Sequence, residues 1–260
     1  MSRSSAPARD GSLRSAVTDL VVANRILANE GILDAFGHVS VRHPRDPSRY
    51  LMARSLAPAL VAAGDVLEYD LDSRPLRTPA PKMFIERFIH GEIYRRRPDV
   101  NAVVHSHSPT TIPFGVSGVK LRPICHMSGF LAGGARVFDI RDVDEKSDML
   151  IRSPELGAAL AAVLGKTSVT LLRGHGNVIV GPDVRLAVYR AIYCEVNARL
   201  QLQAAALGDS ARFLSPAEAK NSEASNITVL ERPWQYWVER AGCSGWYSGR
   251  PAKPASKRGL

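Results

Sequence analysis

The amino-acid sequence predicts an α/β protein in which helices pack against a mainly antiparallel sheet. Three observations point there. Two long stretches, 12–29 and 184–207, repeat apolar residues at helical spacing. Short runs rich in Val, Ile, Leu and Tyr read as strands. The two kinds alternate without a strict strand–helix–strand repeat.

Residues 1–11 read as a disordered N-terminus. In SLRSAVTDLVVANRILAN (12–29), Leu13, Val17, Leu20, Val21, Ile26 and Leu27 fall near helical spacing behind Ser12, a capping residue, and Gly31 ends the helix. FGHVSVRHP (36–44) and YLMARS (50–55) are strand-like, and the turn residues Pro44, Asp46, Pro47 and Ser48 make them a hairpin. VLEYDLDSRPL (66–76) is a third strand with a turn. KMFIERFIHGEIYRRR (82–97) sets Met83, Phe84, Phe88 and Ile89 on one face of a helix that stops at Pro98-Asp99. VNAVVHSH (100–107) is the next strand. Strand-like VTLLRGHGNVIVG (169–181) precedes the long helix 184–207. Residues 208–228 form a polar connection with SPAEA as a candidate helix start. The main domain is therefore 12–230. It is followed by an aromatic segment, 231–248, and a basic disordered tail, 249–260. The aromatic segment either folds over a site as a lid or packs on a neighbouring subunit, and packing is the reading that exposed aromatic patches favour.

With 260 residues, 45% hydrophobic and 23% charged, the chain has the composition of a soluble domain with a sizeable core. Cys125, Cys194 and Cys243 are too scattered for a disulfide framework, which suits reduced thiols and the cytoplasm. No apolar stretch reaches membrane-spanning length, and the basic N-terminus lacks the apolar run of a secretory signal. The net charge of +9 is spread along the chain without a nucleic-acid-binding motif, so it fits a field that attracts an anionic substrate.

The chemistry concentrates in NAVVHSHSP (101–109). In an extended backbone His105 and His107 face the same side, where both imidazoles can reach one metal ion. Taken alone, the pair reads equally as hydrogen-bonded histidines at a strand end. RGHGNVIVG adds His175 between two glycines, which leave an imidazole room to project. Glu86 lies on the helix leading into the histidine strand. Three imidazoles around an ion leave an open position, as catalytic sites do, and a nearby carboxylate can serve as ligand or as acid and base.

The order and spacing of PDVNAVVHSHS, RPICHMSGFLAGG and LLRGHGNVIVG, with a glutamate upstream and a long helix after, resemble the class II aldolase/adducin family over about residues 15–205. The resemblance implies a three-layer α/β/α sandwich around a mixed sheet, assembled as a homotetramer with sites at subunit interfaces. It also implies a divalent ion (zinc, manganese, iron or cobalt) on His105, His107 and His175, with Glu86 catalytic.

The chain departs from the family's sugar-phosphate aldolases where they hold phosphate. His38 replaces an asparagine, Arg54 and Ser55 replace a Thr-Gly turn, and Phe84 and Ile85 replace two serines. A phenyl ring and an isoleucine offer phosphate no donors. Phe84, Ile85 and Arg54 instead suit a flat aromatic acid, unless the first two are simply helix core. His126 stands where the aldolases carry a proton-donating tyrosine, and imidazole gives up a proton more readily near neutral pH. Its other reading is a supporting or interface histidine.

These traits resemble the family branch that decarboxylates hydroxylated aromatic or pyridine dicarboxylates. The expectation is a metal-dependent, non-oxidative decarboxylase of a small anionic aromatic substrate, with no nucleic-acid or membrane partner. Glu86 or His126 would protonate the ring carbon, and Arg54, His38, Ser55 and Phe84 would contact substrate. The alternative is an aldolase acting on a non-phosphorylated hydroxy- or keto-acid.

Overall fold

Strict alternation of side chains in the central strands sorts them between two apolar layers, and this is what makes the molecule a sandwich. The computed structural model describes residues 12–208 and 211–248, so the expected disordered ends 1–11 and 249–260 lie outside the described residues. The strands are β1 (His38–Arg42), β2 (Arg49–Ala53), β3 (Val66–Asp70), β4 (Ala102–Ser106), β5 (Arg136–Phe138), β6 (Val169–Leu172) and β7 (Gly176–Gly181). They form one sheet in the order β3-β2-β1-β4-β7-β6-β5. Every neighbouring pair is antiparallel except β5 with β6, so the sheet is mixed and mainly antiparallel as expected.

On one face, Val39, Val41, Val104 and Ile179 pack against α1 (Leu13–Asn29) through Leu20, Ile26 and Leu27. On the other, Tyr50, Met52, Val103 and Val178 meet Ile89 and Ile93 of α2 (Phe88–Arg96). The chain between β4 and β6, for which the sequence offered no assignment, supplies the short α3 (Ile112–Val116), β5 and α4 (Pro154–Leu164). α4 joins α2 on its face through Leu156, Leu160 and Leu164. α5 (Val184–Ala206) lies beside α1, with Ala187, Ala191 and Ala198 letting it approach closely. Ser12 caps α1 as its position suggests, accepting the Ser15 N–H at 3.1 Å.

Four expectations change. Residues 169–181 are not one strand but a hairpin of β6 and β7, because Gly174, at φ +65°, adopts the left-handed conformation a tight turn needs. The helix expected from residue 82 starts at Phe88, behind a short 3₁₀ turn at 85–87, because Glu86 has non-helical backbone angles. The polar connection holds a full helix, α6 (Pro216–Thr228), closed by a reciprocal cap between Ser215 and Glu218. Its Ala219 is buried against Gly129, where any side chain would meet the Ala219 carbonyl at 2.2 Å. The aromatic segment forms α7 (Glu231–Arg240) and α8 (Gly245–Ser248), and Trp234 and Trp237 pack into this chain's own core rather than over the site. Among the described residues no helix is long and apolar enough to cross a membrane.

Gly176 is the tightest point near the histidines. A β-carbon there would lie 2.1 Å from the Ser106 carbonyl oxygen and 3.1 Å from the His107 Cα. Gly176→Ala must therefore push β7 away from β4, and thermal or denaturant unfolding should show a loss of about 1–3 kcal/mol or more, typical of an overpacked core.

Candidate metal centre

Register brings the first imidazole into place. β1 pairs with β4 so that His38 lies opposite His105, and on the other side His105 faces Val178 of β7. β4 ends at Ser106, and His107 follows just beyond it. The β6–β7 turn presses against that strand end, which sets the Nε2 atoms of His107 and His175 3.1 Å apart. Glu86 comes from the 3₁₀ turn before α2. Its Oε1 accepts the Ile151 N–H at 3.0 Å, and Oε2 sits 3.4 Å from His105 Nε2 and 3.6 Å from His175 Nε2. One ligand atom from each of Glu86, His105, His107 and His175 falls within 4.8 Å of all the others, so the three predicted imidazoles and the predicted carboxylate do converge.

The donor set fits a divalent cation, and the hydrogen bonds behind it say why. His105 Nδ1 lies 3.1 Å from the Asn177 carbonyl and His175 Nδ1 lies 3.0 Å from the Met149 carbonyl. A carbonyl only accepts, so each Nδ1 bears the hydrogen and each Nε2 a lone pair. His107 Nδ1 lies 3.3 Å from the Asp34 carboxylate, the same arrangement with a charged acceptor. Three lone pairs and a carboxylate therefore point at one another, and His105 Nε2 is buried without a hydrogen-bond partner among the described residues. Such an orphaned group calls for an ion. Imidazoles backed by carbonyls or carboxylates are the usual way a protein orients metal-binding histidines.

Electrostatics agree. Burial and the neighbouring His105 push His175 down to about 4, so it is a neutral ligand at neutral pH. Burial would push the Glu86 carboxyl up, but the positive charge that His105 and His175 carry when protonated, with the Ile151 N–H, more than offsets it and holds it at about 2. Burial likewise opposes ionisation of Asp34, yet the N–H groups of Phe36 and Gly37 and the His107 side chain hold its pKa below the usual carboxylate range.

A cavity of about 820 Å³ opens above these groups. Phe36, Leu56, Leu60, Met83 and Phe84 give it an apolar wall, and His38 and Ser55 also line it. The structure thus brings His38, Ser55 and Phe84 to the metal ligands, with the Phe84 ring 4.6 Å from that of His38. It does not bring Arg54 there. Arg54 Nε is paired with Asp65 Oδ1 at 2.7 Å, and among the described residues the cavity's one Lys or Arg side chain is Lys82. His126 is exposed and also lies outside the lining of its own chain's cavity, its carbonyl accepting from Asn226 Nδ2 at 2.8 Å. Sequence reading missed Asp34 and Lys82, which carry no local signature. It also missed His90 and Tyr94, although they follow Glu86 at steps of four residues, a spacing that marks one helix face.

Residues 18–202 match the class II aldolase and adducin N-terminal domain. The chain belongs to that family. Among its relatives, Decarboxylase tropJ of Talaromyces stipitatus is 39% identical, over 86% of this chain and 92% of that protein. The 3,4-dihydroxyphthalate decarboxylase of Arthrobacter keyseri is 30% identical, over 85% and 92%. Solved structures agree on the class II aldolase fold. An aldolase II superfamily protein from Pseudomonas syringae superposes with a TM-score of 0.74 at 22% identity, covering 92% of this chain and 96% of that one. The L-fuculose 1-phosphate aldolase of Glaciozyma antarctica gives 0.73 at 22%, covering 90% and 94%.

The contact behind His107 and the burial of the histidines each have a measurable consequence. Asp34→Asn keeps the caps on Phe36 and Gly37 but removes the charge behind His107, so chelator competition should show zinc affinity falling about 10–100-fold with the fold intact. The second consequence concerns acid. His90 is buried and held at about 3, and His175 at about 4, against 6.5 for an ordinary histidine. Between those limits the unfolded chain binds more protons than the native one. Stability of the metal-free protein should therefore be complete above pH 6.5 and decline as the pH falls toward 3, as circular dichroism in denaturant would record.

Proposed function

We propose that the protein is a metal-dependent, non-oxidative decarboxylase of a hydroxylated aromatic or pyridine carboxylate or dicarboxylate. The observation behind this reading is the set of converging imidazole lone pairs and the ionised Glu86 at the floor of an apolar cavity. Identities of 39% and 30% to decarboxylases add weight.

A divalent ion on His105, His107 and His175 would supply Lewis acidity, lowering the pKa of a ring hydroxyl and drawing off charge as the carbon–carbon bond breaks. Zinc, manganese, iron and cobalt all suit such nitrogen and oxygen donors.

The chain's own residues do the rest. Phe84, Leu56 and Met83 offer a flat ring a surface that excludes water. Lys82 takes the part first expected of Arg54 and faces a second carboxylate. Glu86 meets the substrate ionised, so it acts first as a base and accepts the ring hydroxyl proton. The carboxylate then departs as CO₂, leaving its bonding electrons on the ring, and Glu86 delivers the same proton to the ring carbon. Solvent reprotonates the phenolate, which balances the one proton that decarboxylation consumes.

His126 keeps a role in proton transfer only where a second copy of the chain brings it to the cavity. Exposed Val116, Val119, Val137 and Val143, around and beside the edge strand β5, support a homo-oligomer, and we read it as the tetramer the resemblance implies. Free Cys125, Cys194 and Cys243 support a cytoplasmic setting.

Two variants test the scheme on zinc- or manganese-loaded protein, screened for CO₂ release from ortho-hydroxy aromatic dicarboxylates with an aldehyde assay in parallel. His105→Ala should lose both metal and CO₂ release. Glu86→Gln should keep measurable metal while release falls by about 10²–10⁴-fold, the usual worth of a positioned acid–base group. Aldehyde without CO₂ would replace this reading with an aldolase.

A further inference from the structure

Behind the cavity floor runs a buried chain of four polar side chains that the metal does not need. Tyr94 Oη lies 2.7 Å from Ser40 Oγ, Ser40 Oγ 2.6 Å from His90 Nδ1, and His90 Nε2 2.7 Å from His38 Nδ1. All four residues are at most 2% exposed, in a layer otherwise filled by Ile89, Ile93, Met52 and Val103. The direction of the chain follows from counting hydrogens. With both imidazoles neutral, the phenol, the hydroxyl and the two rings bear one hydrogen each. Three internal hydrogen bonds use three of the four, so one must point away from the chain.

At the tyrosine end, Ser40 Oγ is the one acceptor for the phenol hydrogen among the described residues, and leaving a buried donor unmade costs its full desolvation. The other end opens into the cavity, which His38 lines. Tyr94 therefore donates to Ser40, Ser40 to His90, and His90 Nε2 to His38 Nδ1. The remaining hydrogen sits on His38 Nε2, the free ring nitrogen.

We propose that His38 presents a fixed N–H to the substrate and holds the carboxylate that is not lost, with Tyr94, Ser40 and His90 as positioning residues that set its tautomer. Two observations fit this role. Arg54, the cation expected to grip that carboxylate, is engaged by Asp65, so among the cavity's lining His38 joins Lys82 as a side-chain N–H donor clear of the metal ligands. His38 also lies beside them, its ring 5.0 Å from that of His105 and 4.6 Å from that of Phe84, so a flat ring on Phe84 brings a substituent within its reach. The role of the ligand rests on the decarboxylase reading; the tautomer does not.

Neutron diffraction from crystals of the zinc-loaded wild-type chain reads the proton directly. Deuterium on His38 Nε2 is expected, and deuterium on Nδ1 alone would overturn the proposal. Calorimetric titration of zinc-loaded wild type and His38→Phe with two probes, phthalate and benzoate, reads the role. Phthalate binding should weaken about tenfold or more in the variant while benzoate binding holds, which is the scale of losing one hydrogen bond to a charged group. Equal losses for both probes would reduce His38 to packing, and no loss for either would also overturn the proposal. If CO₂ release is never found yet the phthalate preference depends on His38, the decarboxylase reading fails and the carboxylate donor stands. If release persists in the variant with an unchanged probe ratio, the carboxylate donor fails and the decarboxylase reading stands.

Discussion

Three imidazole lone pairs facing one another across a few ångströms are the constraint on which the site depends. Nε2 of His107 and Nε2 of His175 stand 3.1 Å apart, and the hydrogens of all three rings are committed behind them to the carbonyls of Asn177 and Met149 and the carboxylate of Asp34. Without a cation that arrangement is repulsive, and the protein supports it with two strand registers and a turn. The β1–β4–β7 pairing sets His105, and the close approach of Gly176 to Ser106 sets His175 against His107. These strands form the centre of the sheet, where close packing leaves least room to relax.

The polar groups of the site share one face. On the α1 and α5 side the sheet meets a largely apolar layer, in which the buried Ser106 hydroxyl donates to Asn177 Oδ1. On the α2 side, near the ends of β1 and β4, that layer gives way to Glu86, His38, Ser40, His90, His105 and Tyr94, each with a partner or a place at the ligand cluster. Burying so many polar atoms is tolerable only because they satisfy one another, and a satisfied network also fixes orientation. The helix that closes the layer thus contributes both a carboxylate beside the three imidazoles, from its leading turn, and the support for a cavity residue, from its body.

The fold was largely legible. Ser12 and the spacing from Leu13 to Leu27 located α1, and the alternation in HVSVR and RYLMA located the first hairpin, because both patterns arise from contacts close in sequence. The β6–β7 hairpin was hidden because Leu171, Leu172, Val178 and Ile179 are buried on both faces, which erases the alternation that would separate two strands. α6 was hidden because its helix depends on Ala219 seating over Gly129, a contact some ninety residues away in sequence. Trp234 and Trp237 showed that the end of the chain would pack, without showing against what.

By itself, the sequence determined the ligand types, the two-residue step between His105 and His107, the glycine-flanked turn around His175 and the layered α/β class, since each depends on local geometry or on motif order. Tertiary structure alone decided that Arg54 belongs to Asp65 and not to the cavity, that Asp34 backs His107, that Lys82 lines the cavity, and which way the hydrogens run from Tyr94 to His38. Those are matters of distance and direction between residues far apart in the chain, and a one-dimensional pattern holds no information on which of several eligible partners a side chain will meet.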